Sequence, residues 1–235
     1  MLTALINNAK IHIKIFLGKR IHPFTHFPQT VDIKTFLDIG ANKGEYSWSY
    51  FRSFPKGRAW LIEPIPKLHD VIRAKLDDHA DSYMLFDACL GAGPGIVDLH
   101  VTNHIGASSV LPMHDAFVQA NPHVKEVEVI RKKLITLDEF VNIESIPPVD
   151  LLKVDVEGFE LEVVSGGKNY LRNGVKWILI EHSFVRSADS QRRFVEVHSL
   201  LLDSDFELYA ICDQYHHADS HRIIQFDAIY RNRNE

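Results

Sequence analysis

The sequence predicts an α/β fold, a mostly parallel sheet with helices on both faces, and three stretches predict it. Phe36, Leu37 and Ile39 form an apolar run that breaks at Gly40 and Gly44, before a helix-like segment with Tyr46, Trp48, Tyr50 and Phe51. Ala59-Trp60-Leu61-Ile62 is a second run, ending in Glu63-Pro64. Val149 to Val154 is a third, ending in Asp155, Glu157, Gly158 and Glu160. Short apolar runs bounded by turn residues and separated by helix-period segments are the pattern of strands buried between helices. In such sheets ligands bind in the crevice outside the carboxyl ends of the strands, where these glycines and acids fall.

Residues 1–34 stand apart from the rest. They carry Lys10, Lys14, Lys19, Arg20 and Lys34 against Asp32, a net +4 that leaves −9 on the remainder. Lys10, His12 and Lys14 interrupt every apolar run there, so neither a signal peptide nor a membrane span is expected. A basic N-terminal extension, helical and packed on the domain, is the expectation, with peripheral membrane contact as its other use. Pro23 and Pro28 mark its connection to the first strand. Residues 35–235 are then expected to form one domain.

The apolar fraction of 46% and charged fraction of 24% are those of a soluble globular chain. A net charge of −5 gives no general affinity for nucleic acid. Cys89 and Cys212 are far apart, lack metal-type spacing and sit among apolar residues, so free buried thiols in a reducing cytoplasm are expected.

The remaining elements follow in order. Leu68, Val71, Ile72 and Leu76 have helical spacing over residues 66–79. Tyr83 to Phe86 is a third strand, ending in Asp87. Gly91, Gly93 and Gly95 lack the Gly-Lys-Ser/Thr of a phosphate loop and predict a turn into a strand at 96–101. Ser108 and Ser109 follow as candidate ligand contacts. Pro112, His114, Asn121, Pro122 and His123 predict an irregular insertion suited to a lid. Residues 125–135 alternate as a strand, and Thr136 with Glu139 forms a capping box. The strand ending at Asp155 precedes a helix with Leu161 and Val164 inward. Trp177 to Ile180 is a fifth strand, ending in Glu181-His182-Ser183. A helix over 190–203 leads to two last strands, Phe206–Cys212 and Ile223–Tyr230, expected as an antiparallel hairpin. The histidine-rich loop between them, 215–221, predicts polar surface rather than a metal site.

The glycine loop narrows the ligand. Its pattern is Asp38-x-Gly40-x-Asn42-x-Gly44, and Ser47 stands where a dinucleotide fingerprint needs its third glycine. Such a loop suits a smaller anion, an amino-acid carboxylate, with Asp38 accepting from the ammonium. Glu63 lies 23 residues after Gly40, where an acid is placed to hold two ribose hydroxyls. Asp87 at the next strand end is a candidate for an adenine amino group. Amino acid, ribose and adenine together describe S-adenosylmethionine. The rival enzyme is a nucleotide-dependent oxidoreductase or epimerase on the same sheet, disfavoured by the missing glycine. The rival without chemistry is a scaffold docked by its basic N-terminus.

Asp38-Ile-Gly40-Ala-Asn42-Lys-Gly44-Glu-Tyr46-Ser47, Glu63-Pro64 and Leu152-Lys153-Val-Asp155-Val-Glu157-Gly158-Phe-Glu160 resemble the motifs of the FkbM family of S-adenosylmethionine-dependent methyltransferases. Ser108-Ser109 and Thr136-Leu-Asp138 also resemble family features. The likeness spans roughly residues 35–183, and Lys43 departs from it where an apolar residue is frequent. The resemblance implies a seven-stranded, Rossmann-like class I methyltransferase sheet. It also implies methyl transfer to a hydroxyl of a sugar, glycan or natural product. On it, Gly40, Asn42, Gly44 and Tyr46 belong to the cofactor's methionine side, Glu63 to its ribose and Asp87 to its adenine. Asp155, Glu157 and the Glu181-His182 pair would face a small-molecule or glycan acceptor. An alcohol acceptor must lose a proton, and His182, Asp155 and Glu157 are the candidate bases, His182 first because its ordinary pKa is near neutrality. The alternative is Mg²⁺ held by Asp155 and Glu181, acidifying the hydroxyl.

Overall fold

The computed structural model describes residues 23–28, 30–186, 190–217 and 219–234. Its main sheet has seven strands in the order β3-β2-β1-β7-β8-β10-β9. These are β1 (Thr35–Ile39), β2 (Arg58–Ile62), β3 (Tyr83–Phe86), β7 (Val149–Val154), β8 (Val175–Ser183), β9 (Phe206–His216) and β10 (Ile223–Asn232). The first five are parallel, and β10 runs antiparallel between β8 and β9. The chain order reverses between β1 and β7, so the ends of those strands flank a crevice. This is the seven-stranded, mostly parallel sheet with an antiparallel C-terminal hairpin that the sequence leads one to expect.

Helices α1 (Glu45–Ser53), α2 (Pro66–Lys75), α3 (Asp115–Ala120), α4 (Leu137–Ile143), α5 (Glu160–Ser165), α6 (Lys168–Gly174) and α7 (Ser190–Asp203) complete the described elements, with short 3-10 turns between them. Two apolar clusters cover the sheet's two faces. Leu37, Ile39, Leu152, Val154, Ile178, Ile180 and Phe226 belong to one. Phe36, Leu151, Trp177, Leu179, Ile229 and Cys212 belong to the other, with Tyr50 and Phe51 of α1. The division is strand alternation, since neighbours along a strand point to opposite faces.

The two strands expected at 96–101 and 125–135 leave the main sheet. As β5 (Gly95–Thr102) and β6 (Glu126–Thr136) they pair antiparallel, and β4 (Cys89–Gly91) adds to β6 in parallel. The capping box at Thr136 and Glu139 is present and starts α4.

The helix expected in the N-terminal extension lies, for residues 1–22, outside the described residues. Pro23–His26 is one 3-10 turn. Phe24 within it and Phe27 just after it are buried against Tyr50 and Trp177. Phe24, Phe27 and Ile33 therefore belong to the core on that face of the sheet. Among the described residues, no helix is long and apolar enough to cross a membrane.

Candidate active site

The loop after β1 is held open by its backbone. Gly40 has φ +81, and a Cβ there would lie 1.9 Å from the carbonyl oxygen of Asp155. Gly44 has φ +74 and begins α1. Asn42, between them, takes φ 51, a conformation that asparagine tolerates better than most residues. Its backbone N–H donates to Glu63 Oε2 at 2.7 Å, and Ile65 N–H donates to Glu63 Oε1 at 2.9 Å. Glu63 is thus fixed at the end of β2, and burial pushes its carboxyl up to about 7. Glycine loop and acid line one cavity, closed on its far side by Ile65, Leu68, Leu90 and Ser108. Asn42 Oδ1 is buried with no partner.

That cavity opens into a wider groove bordered by Asn42, Tyr46, Lys153, Asp155, Glu157 and Glu181. Strand register builds it. Asp38 sits beside Lys153, Asp155 follows on the same face two residues later, and Glu181 pairs with Asp227. Lys153 Nζ lies 3.4 Å from Asp38 Oδ1 and 3.1 Å from Asp155 Oδ2, over the Tyr46 ring at 4.6 Å. Burial works against its charge, but Asp155 and Asp38 outweigh it and hold the ammonium charged. The Tyr46 hydroxyl donates to Asp227 Oδ2 at 2.8 Å. Burial first, then Asp155, raises Asp227 to about 7. Glu157 adopts φ 58, and burial lifts its carboxyl to about 8 although Arg186 Nε lies 3.7 Å away.

Glu181 is buried, and Gln225 donates to its Oε1 while Oε2 has no partner among the described residues. Burial, then Asp155 and Glu157, raises its carboxyl well above the ordinary range. Oxygens of Asp155, Glu157 and Glu181 lie within 4.8 Å of one another.

The structure brings Gly40, Asn42, Glu63, Ser108, Asp155 and Glu157 around the cavity, with Gly44 and Tyr46 on the helix that opens beside it. Three expected residues sit elsewhere. Asp38 is fully buried, accepts from Ser47 Oγ at 2.6 Å and pairs with Lys153, so it braces the loop from beneath instead of lining the cavity. Asp87 turns outward to Lys132 at 2.6 Å, because the chain passes directly into β4; Ala88, Cys89 and Leu90 line the cavity instead. His182 is the correction with the largest consequence. Consecutive strand residues face opposite sides, so Glu181 and His182 cannot share the groove. His182 packs against Phe194 and Phe226 at 4.9 and 5.2 Å, and burial lowers its pKa to about 3.

The lid segment contains α3, and Phe117, Asn121 and Val124 border the groove. His114 caps α3, its Nδ1 accepting from Ala116 N at 3.3 Å, and His123 packs on His104. Of the histidine-rich loop, Tyr215 and His216 reach the groove wall.

Arg186, Asp227 and Gln225 carry no local sequence signal. Arg186 is fully buried, donates to the carbonyls of Glu157 and Ala107, and lies over the Phe117 ring at 4.3 Å. It ties the lid to the strand ends. Lys153 was visible within its motif, but its role as counter-ion needs the sheet register.

Comparison with known proteins agrees with this geometry. A family model described as the methyltransferase FkbM domain matches residues 38–208. The 2-O-methyltransferase NoeI of Sinorhizobium fredii is 26% identical over 180 residues, covering 74% of this chain and 72% of that protein. Methyltransferase 1 of Beauveria bassiana is 25% identical over 210 residues, covering 83% and 80%. Among solved structures, the methyltransferase FkbM of Methylobacillus flagellatus superposes with TM-score 0.53 at 15% identity, over 86% of this chain but 45% of that one. Cofactor-bound Rv0187 from MTB gives TM-score 0.51 at 14% identity, over 86% and 74%.

Proposed function

The chain belongs to the FkbM methyltransferase family, and from that premise we propose that it moves the methyl group of S-adenosylmethionine to a hydroxyl of a sugar, glycan or related natural product. One observation carries this: a glycine-and-glutamate cavity opens directly onto an acid-lined groove whose Glu181 has a buried oxygen without a partner among the described residues. The likeness to NoeI, a 2-O-methyltransferase, supports an alcohol acceptor.

When bound, S-adenosylmethionine supplies a methyl group on a sulfonium. The N–H groups of the first turn of α1, which no helix bond uses, would hold its carboxylate, and Glu63 its ribose hydroxyls. Ile65, Leu68 and Leu90 exclude water from the adenine side. Lys153, paired with Asp38 and Asp155, offsets part of the repulsion among the acids gathered here. Displacement at the methyl is in line, so holding the acceptor opposite the sulfonium supplies much of the acceleration.

The acceptor's proton would go to Glu181, which lines the groove and keeps one carboxyl oxygen unpartnered among the described residues, with Glu157 beside it. A placed base is worth about 10²–10⁴-fold. Turnover of a panel of sugars and phenols, read as S-adenosylhomocysteine formed, should fall about 100-fold or more in Glu181→Gln while cofactor affinity stays within about threefold. Wild-type turnover in that variant would remove Glu181 as the base. A raised carboxyl is charged only above its folded pKa, so the wild-type rate should climb with rising pH and that limb should vanish in the variant.

The same three carboxylates favour a second reading, with Mg²⁺ held by Asp155, Glu157 and Glu181. Bound there, the ion would lower the pKa of the acceptor hydroxyl. Turnover lost on exhaustive chelation and restored by Mg²⁺ selects this reading; turnover indifferent to chelation selects the carboxylate base.

A further inference from the structure

The family match begins at residue 38 and ends at residue 208. Beyond both limits lies a second cluster, joining the segment before β1 to β9. Ligand atoms of His26, Cys212 and Asp213 lie within 4.8 Å of one another. His26 is presented by the 3-10 turn Pro23–His26, between the buried rings of Phe24 and Phe27. Cys212 is a free, buried cysteine on β9, opposite Asp227 and on the face covered by α1.

Strand alternation would send Asp213 to the other face. A bulge prevents this. Between the pairs Asp227↔Cys212 and Gln225↔Tyr215, β9 carries one residue more than β10. Asp213 within it takes φ 46, the left-handed conformation that aspartate, like asparagine, adopts at single positions. Bulges re-aim side chains, and this one brings Asp213 to the side of Cys212 and His26. His26 Nε2 is buried and has no hydrogen-bond partner among the described residues. A bulge, a buried thiol and an imidazole are thereby brought together.

We propose that His26, Cys212 and Asp213 bind a single zinc ion that staples the segment before β1 to the end of β9. One sulfur, one imidazole nitrogen and one carboxylate oxygen form a borderline-soft donor set that suits Zn²⁺ and not Mg²⁺. Zinc–sulfur and zinc–nitrogen bonds of about 2.3 and 2.0 Å set tetrahedral donors about 3.3–3.6 Å apart, which small side-chain rotations reach from the present spacing. On binding, the Cys212 S–H bond breaks, a sulfur–zinc bond forms and the proton leaves to solvent; nothing is oxidised or reduced. A water completes the fourth position. The staple also steadies the groove, since Asp227 lies opposite Cys212 and Tyr215 and His216 follow on the same strand.

The test is titration of the chelator-stripped full chain with Co²⁺, then Zn²⁺. The expected result is one equivalent of Co²⁺ with a thiolate charge-transfer absorption, displaced by Zn²⁺. The band should persist in Cys89→Ser and vanish in Cys212→Ser. His26→Ala and Asp213→Asn should each weaken zinc at least about tenfold. X-ray absorption of the zinc-loaded wild type should show one sulfur among nitrogen and oxygen neighbours, a readout independent of how the variants fold. A zinc shell without sulfur, a band surviving in Cys212→Ser, or unchanged zinc affinity in His26→Ala overturns the proposal.

Discussion

Lys153 is the residue on which the charge balance of the groove turns. Its ammonium meets Asp38, Asp155 and the Tyr46 ring at once, and it is 4% exposed. Removing one partner of a buried ion pair leaves the other uncompensated, at a cost of about 3–5 kcal/mol. Lys153→Met should therefore lose about that much stability in urea unfolding; a loss under about 1 kcal/mol would mean that Asp38 is neutralised some other way. His182 makes the opposite case. Its folded pKa, about 3, lies below the ordinary 6.5, so its contribution to stability is present above pH 6.5 and is lost as pH falls toward 3. His182→Phe fits the nest of Phe194 and Phe226, should keep wild-type turnover, and should gain on the wild type in Tm as pH drops from 7 to 5. A turnover loss matching that of Glu181→Gln would return the base to His182.

Among the elements, the turn from β1 into α1 is both the most legible in sequence and the least tolerant of change. Gly40→Ala places a methyl 1.9 Å from the Asp155 carbonyl oxygen at φ +81, so the ends of β1 and β7 must part. The variant should keep its far-ultraviolet circular dichroism and lose measurable S-adenosylmethionine binding by calorimetry; wild-type affinity would show that the loop does not touch the ligand. Gly40, Gly44 and Glu63 were legible because turn chemistry and spacing are local. The acids Asp155 and Glu157 were legible because they end an apolar run. What sequence could not supply was long-range. Whether β5 and β6 join the main sheet depends on pairing across it, and the pairing of Asp87 with Lys132 depends on that second sheet. His182 was misplaced for a simpler reason: its ordinary pKa suggested a base, while alternation along β8 already assigned it and Glu181 to opposite faces.

At the scale of the whole molecule, two apolar layers enclose a sheet whose carboxyl edge gathers groups from every part of the chain. Asn42 and Glu63 come from its first third, Lys153, Asp155 and Glu157 from its middle, and Glu181 and Asp227 from its last part. The class of fold followed from the order of strands and helices, and the family from three short motifs; Arg186, Gln225 and Asp227 joined the site only through folding. The account stands on the claim that the cavity between the ends of β1 and β2 is the S-adenosylmethionine site. Calorimetric titration of the full chain with S-adenosylmethionine, wild type against Glu63→Gln, tests it most directly. Losing a charged acceptor for the ribose hydroxyls is worth about 1.5–3 kcal/mol, so single-site binding should weaken about 10- to 150-fold in the variant. No binding to the wild type, or equal affinity in both proteins, would contradict it.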